Sequence, residues 1–210
     1  MHVLEAGSPG QPVVLLLHGF PELAYSWRHQ LPVLGAAGYH AIAPDQRGYG
    51  RTTGWDGRFD ADLAPYRQFH LARDALALVR ALGLADVAAV IGHDFGSFVA
   101  SCCALMRPDV FRAVTLMSAP FGGAPRLGTS PALDVPAALA RLDPPRQHYQ
   151  WYYSTPQANR DMHHPPEGLH RFLRAYYHVK SADWPGNEPH PLAGWGAAEL
   201  ATLPHYYVMP

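Results

Sequence analysis

The sequence predicts an α/β fold: a partial parallel sheet with helices on both faces, followed by an incomplete helical segment. Three observations predict it. Short apolar runs alternate with helix-period segments over residues 1–120, a pattern that implies right-handed βαβ crossovers. The run 12–17 is continuously apolar, as a strand buried on both faces is, and each run closes on a turn signal: His18-Gly19, Pro44-Asp45, Gly92 or Ser118-Ala119-Pro120. After residue 120 the runs cease, and prolines punctuate short pieces rich in aromatics and histidine.

Taken in order, residues 2–4 read as the remnant of a first strand, turning at Gly7-Ser8-Pro9-Gly10. Residues 12–17 form an apolar run closed by His18-Gly19-Phe20-Pro21, and a helix interrupted by Pro32 is expected over 22–37. Residues 39–43 form a second run, stopped by Pro44-Asp45. A stronger helix is expected over 66–82: Phe69, Ala72, Leu76, Val79 and Leu82 step by three or four residues, and Gly83 stands where a C′ glycine would. The run 87–91 stops at Gly92, a helix over 97–106 ends before Pro108, and the run 110–117 stops at Ser118-Ala119-Pro120. Beyond that, Pro131, Pro136, Pro144, Pro145, Pro156, Pro165 and Pro166 separate helical pieces, of which 146–153 and 167–179 are the clearest. A further apolar run occurs at 206–209. The expected organisation is a sheet-bearing core over 1–120 and a helical segment over 121–210.

Composition narrows the function. The 210 residues carry 16 basic and 17 acidic side chains, a net charge of −1, and 48% are hydrophobic, so the chain can bury a core and is not disordered. The basic residues are scattered and leave no stripe for nucleic acid. No run approaches the roughly 18 apolar residues of a membrane span, and Met1-His2-Val3-Leu4-Glu5 lacks the layout of a signal peptide. The cysteines, Cys102 and Cys103, are adjacent in an apolar stretch and read as buried thiols, which points to a cytoplasmic location. The densest histidine pair, His163-His164, lacks the spacing of a metal site, so no metal and no cofactor are expected.

The sharpest local signal is Gly92-His93-Asp94-Phe95-Gly96, between a buried run and a helix. This is the layout of a nucleophile elbow, with Asp94 in the nucleophile position. The strand must turn straight into the helix, so the positions two before and two after must be small, and the helix N-terminus favours a carboxylate. Ser97 lies past the second glycine and Ser118 lacks flanking glycines, which disfavours serine chemistry. The loop His18-Gly19-Phe20-Pro21-Glu22 closes an earlier strand. In an elbow enzyme such a loop and the residue after the nucleophile supply oxyanion-hole amides, here those of Phe20 and Phe95. His93 adjoins the nucleophile but points away from it and reads as structural.

The blocks HGFPE at 18–22, PDQRGYGRT at 44–52 and GHDFGS at 92–97 resemble the epoxide hydrolase branch of the α/β-hydrolase superfamily, in order and spacing. The resemblance implies the α/β-hydrolase fold, with the runs 2–4, 39–43, 12–17, 87–91 and 110–117 side by side in that order and an open edge beside 110–117. It extends to His148-Tyr149-Gln150-Trp151-Tyr152-Tyr153, which is similar to the cap segment where the family places a ring-opening tyrosine; by that match Tyr149 is the acid. The implied substrate is a small apolar epoxide, opened to a diol through a covalent Asp94 ester.

Haloalkane and haloacetate dehalogenases are siblings. They resemble this elbow but typically carry a Trp beside the nucleophile or an arginine near the turn, where this chain has Phe95 and no arginine. A remnant that binds a small molecule or partner without catalysis is the alternative from another class. The family's acid and base histidine match nothing here: His148, His163, His164, His170, His178 and His190 lie in Pro-rich or helical segments, and His205 precedes an aromatic run. Nor do Tyr176, Tyr177 or Tyr206 stand in the setting of the family's second cap tyrosine. The expectation is therefore a chain that ends inside the cap, with the acid and base beyond residue 210.

Overall fold

The computed structural model describes residues 1–123, 128 and 133–210, which form two units, Met1–Ala124 and Pro125–Pro210. Pro131, expected to punctuate the second part, lies outside the described residues.

In the first unit, β1 (Val3–Ala6), β2 (Val13–Leu17), β3 (His40–Pro44), β4 (Ala89–His93) and β5 (Val114–Met117) form one sheet in the order β1-β3-β2-β4-β5. This is the order the resemblance implies. Strands β2, β3, β4 and β5 pair in parallel, whereas β1 runs antiparallel to β3, with Val3 opposite Pro44. The turn over residues 7–12 is too short for a parallel crossover, so the chain reverses there. The alternation of side chains across β2 divides the core. Leu15 and Leu17 join Ile42 and Val90 beneath α2 (Gln68–Ala81) and α3 (Phe95–Met106), while Val14 and Leu16 join Ala41, Ala43, Trp27 and Leu31 beneath α1 (Gln30–Ala36). Both faces are thus dry, which is why these strands read as unbroken apolar runs.

Several boundaries differ from expectation for identifiable reasons. The helix expected over 22–37 is a 3-10 turn, Ala24–Trp27, followed by α1, whose third residue is Pro32; in a first turn its missing N–H costs nothing. Helix α3 starts at Phe95, two residues early, because the elbow turns directly into it. The run 110–117 supplies only Val114–Met117 to the sheet, preceded by a single bridge between Val87 and Phe111. Helix α2 closes as the sequence suggests: Gly83 has φ +73°, its N–H reaches Arg80 O at 3.0 Å, and Leu84 N–H reaches Val79 O at 3.1 Å. Cys102 and Cys103 are buried free thiols on α3.

The second unit holds α4 (Val135–Ala140), β6 (Gln147–His148), α5 (Tyr149–Tyr153), α6 (Pro156–His163), α7 (Leu169–His178), α8 (Ala197–Leu200) and β7 (Val208–Met209) around Leu139, Leu200 and Val208. The helix expected over 146–153 begins instead as strand β6, paired antiparallel with β7, and turns helical at Tyr149. Pro136 and Pro156 open helices rather than separate them. Asp134 Oδ1 accepts Ala137 N–H at 3.1 Å and Thr155 Oγ1 accepts Ala158 N–H at 3.2 Å, so each proline follows a side-chain cap. Among the described residues no helix is long and apolar enough to cross a membrane.

Candidate active site

Asp94 stands between β4 and α3 with φ +51° and ψ −120°, a backbone conformation that L-residues other than Gly rarely hold. Its N–H is tied to Met117 O at 3.0 Å and its carbonyl accepts Ser97 N–H at 3.0 Å. Ser97 is fully buried beneath the turn, its Oγ 2.8 Å from Gly92 O and accepting Met117 N–H at 3.1 Å. It braces the elbow and is unavailable as a nucleophile. The two flanking glycines are steric necessities: a Cβ on Gly92 would lie 2.6 Å from Ser97 Cα, and one on Gly96 would lie 2.6 Å from His18 O.

The loop after β2 meets this turn directly. A Cβ on Gly19 would lie 2.5 Å from Asp94 Cβ, so only glycine allows the two segments to approach. At that approach Phe20 N–H donates to Asp94 Oδ1 at 3.0 Å. Phe95 is the first residue of α3, and first-turn amides have no intrahelical acceptor, so its N–H faces the same end of the helix. Asp94, Phe20 and Phe95 are therefore assembled by two strand ends and one helix start. Pro21 follows Phe20 across a cis peptide bond.

Four side chains complete the surroundings without having been singled out from the sequence, although all lie in the motif blocks. Glu22 Oε2 accepts Gly19 N–H at 3.1 Å and binds His93 Nδ1 at 3.0 Å, joining the loop to the elbow. Burial works to raise the Glu22 pKa, but the His93 and Gly19 hydrogen bonds outweigh it and hold the carboxyl low; the same Glu22 bond raises His93. His93 Nδ1 is thus engaged by an acidic partner, Glu22. Gln46 N–H donates to His18 Nε2 at 3.0 Å, and its side-chain amide donates to His18 O at 2.5 Å. Tyr49 packs edge-on to His18, and burial together with the Asp94 charge pushes its pKa up to about 12. Buried Asp45 holds this segment by accepting the N–H groups of Ala24 at 2.9 Å and Arg51 at 3.0 Å.

Tyr149 lies in the second unit, at the start of α5. Its ring contacts Tyr153 and Tyr207, and Gln150 Nε2 is 3.3 Å from its hydroxyl. His148 precedes it, packs edge-on to Trp151, and is lowered in pKa by burial. Tyr176, whose pKa burial raises, lies 3.4 Å from the Tyr153 hydroxyl and 2.6 Å from Lys180 Nζ. A groove of about 480 Å³ runs beside Tyr149, lined chiefly by Trp151, Trp195, Leu203 and Tyr207. Among the described residues no three His, Cys, Asp or Glu side chains are grouped to hold a metal ion.

Comparison with known proteins places this geometry in a family. A family model for the alpha/beta hydrolase fold matches residues 12–163. Over 120 residues the chain is 48% identical to epoxide hydrolase A of Mycobacterium tuberculosis, covering 57% of this chain and 35% of that protein. The chain thus spans about a third of the length of curated relatives such as this one and an epoxide hydrolase of Caballeronia sordidicola. Among solved structures, epoxide hydrolase A of Mycobacterium thermoresistibile is similar with a TM-score of 0.70 and 35% identity, over 94% of this chain and 58% of that one. Potato epoxide hydrolase I gives a TM-score of 0.67 and 34% identity, over 84% and 52%. With its sheet order, its strand-turn-helix aspartate and these matches together, the chain belongs to the alpha/beta hydrolase family.

Proposed function

We propose that the chain carries the nucleophilic half of an epoxide hydrolase and opens a small apolar epoxide by forming an ester at Asp94. The observation that carries this reading is the Phe20 N–H held on Asp94 Oδ1 at 3.0 Å. A carboxylate with one oxygen held presents the other to an electrophile, and donors aimed at a carboxylate are also placed for the oxyanion of its ester. Asp94 Oδ2 attacks an epoxide carbon in line, the C–O bond breaks toward oxygen, and the Tyr149 hydroxyl gives that oxygen its proton. The ester's tetrahedral intermediate would then rest on the Phe20 and Phe95 amides. The steps draw on no metal or organic cofactor. The names of the relatives support the epoxide reading, and Phe95, which has no side-chain donor for a departing halide, weighs against dehalogenation. Burial of both thiols accords with a reducing, cytoplasmic setting.

Hydrolysis of the ester needs a general base. Among the described residues of the first unit, the two histidines beside Asp94 are committed elsewhere, His18 to Gly19 O and Gln46 N–H, His93 to Glu22. Incubation of the 210-residue chain with styrene oxide is therefore expected to leave a mass adduct on Asp94 that Asp94→Asn abolishes, with little diol released. Absence of any adduct, or adduct on another residue, would overturn the assignment. Halide release from a haloalkane in place of epoxide opening would redirect it to dehalogenation.

A further inference from the structure

The Gly19–Phe20 peptide unit has to aim its N–H at Asp94, yet the residue before it supplies no restraint of its own. Glycine is required at 19 by the close approach to Asp94, and glycine is also the residue that leaves a backbone most free to rotate. In a trans peptide the C=O and N–H point in opposite directions. Whatever fixes Gly19 O on one side therefore fixes Phe20 N–H on the other. Two groups hold Gly19 O: Glu22 N–H at 3.1 Å and the His18 ring nitrogen Nδ1 at 2.8 Å.

The His18 tautomer follows from its partners. A backbone carbonyl can only accept and a backbone N–H can only donate, so Nδ1 carries the proton for Gly19 O while Nε2 accepts from Gln46 N–H at 3.0 Å. The ring is fully buried and stands edge-on to Tyr49, with centroids 4.9 Å apart. Burial lowers its pKa and favours this neutral form, against the Gly19 carbonyl and the charges of Asp45 and Glu22.

We infer that His18 is a positioning residue for the Asp94 reaction: its Nδ1–H, with Nε2 locked by the Gln46 amide, fixes the Gly19–Phe20 peptide plane and so aims the Phe20 N–H at Asp94 Oδ1. The inference rests on the reading of Asp94 as the nucleophile only for its effect on rate; the aiming itself is a property of the resting loop. Hydrogen bonds accepted by Gly19 O also polarise that peptide and make its N–H a better donor to developing negative charge.

Two isosteres separate positioning from mere packing. The amide nitrogen of Asn at 18 falls near the place of Nδ1 and donates as it does, whereas Gln reaches the place of Nε2, where its amide oxygen accepts from Gln46 N–H. His18→Asn is expected to keep Asp94 adduct formation with styrene oxide within a few-fold of the parent, whereas His18→Gln, which leaves the carboxylate less well aimed for in-line attack, slows it by about tenfold to a hundredfold, the scale of misplacing a reacting group. Amide hydrogen exchange at Phe20, read by NMR without substrate, is expected to accelerate in His18→Gln and not in His18→Asn, with Val90 in the core as internal reference. Should His18→Gln fail to fold, the ¹⁵N spectrum of the parent protein decides: a pyrrole-type Nδ1 and a pyridine-type Nε2 are expected for His18. Equal behaviour of the two variants, or a His18 protonated at Nε2, would overturn the inference. A parent protein that forms no adduct would count against the function instead, and the Phe20 exchange order would still decide for or against the His18 lock.

Discussion

Glu22 and His93 stand 71 positions apart in sequence, yet their 3.0 Å contact joins the loop after β2 to the strand that delivers Asp94. Both are partly shielded from solvent, so the pair gives the site a pH signature. His93 is raised above its ordinary 6.5, and its contribution is complete below that value and fades as pH rises through the folded-state pKa. Glu22 is lowered below its ordinary 4.5, and its contribution is complete above that value and fades as pH falls through the folded-state pKa. The pair therefore stabilises most between pH 4.5 and 6.5, the window where both partners are charged. Glu22→Gln is expected to lower the thermal midpoint most within this window, the difference from the parent shrinking toward alkaline pH. A midpoint curve identical to the parent's would show that the pair contributes nothing. No composition or periodicity exposes such a pair; its only trace in the sequence is that both residues sit in short blocks with rare spacing.

At the level of elements, what the sequence makes legible is what a local rule controls. The sheet strands are legible because burial on both faces leaves unbroken apolar runs, and the end of α2 because Gly83 must take a left-handed φ. The elbow is legible because two glycines bracket a polar residue between a strand and a helix. In the second unit the same reasoning falters. Proline breaks a helix interior but suits its first turn, and composition alone does not say which applies. The side-chain caps decide it, so Thr155 and Asp134 were the informative residues and Pro156 and Pro136 the distracting ones. Thr155→Ala is expected to cost about 1 kcal/mol through the lost cap on α6. Chemical denaturation followed by far-ultraviolet circular dichroism measures it, and a loss below a few tenths of that would mean another group satisfies the Ala158 amide.

At the scale of the whole molecule, each unit has its own core, built on Leu15, Leu17 and Val90 in the first and on Leu139, Leu200 and Val208 in the second. Among the described residues the first unit's sheet ends at β5, where Val114 is 41% exposed and Met117 42%, so the strand offers apolar side chains beside backbone that no described strand pairs. The purified chain is expected to self-associate in light scattering, and Thr115→Lys on that strand to raise the monomer fraction; no response to the lysine would exonerate the edge. The glycines described above carry a different consequence, for descent rather than for folding. Every replacement open to a glycine codon adds at least a Cβ, and at 19, 92 and 96 that atom lands on Asp94, Ser97 or His18, whereas at Gly122 and Gly194 it meets nothing within 4 Å. The first three positions therefore have no neutral single-step neighbours. A lineage that keeps this turn must keep all three through every generation, while Gly122 and Gly194 in the same chain are free to drift.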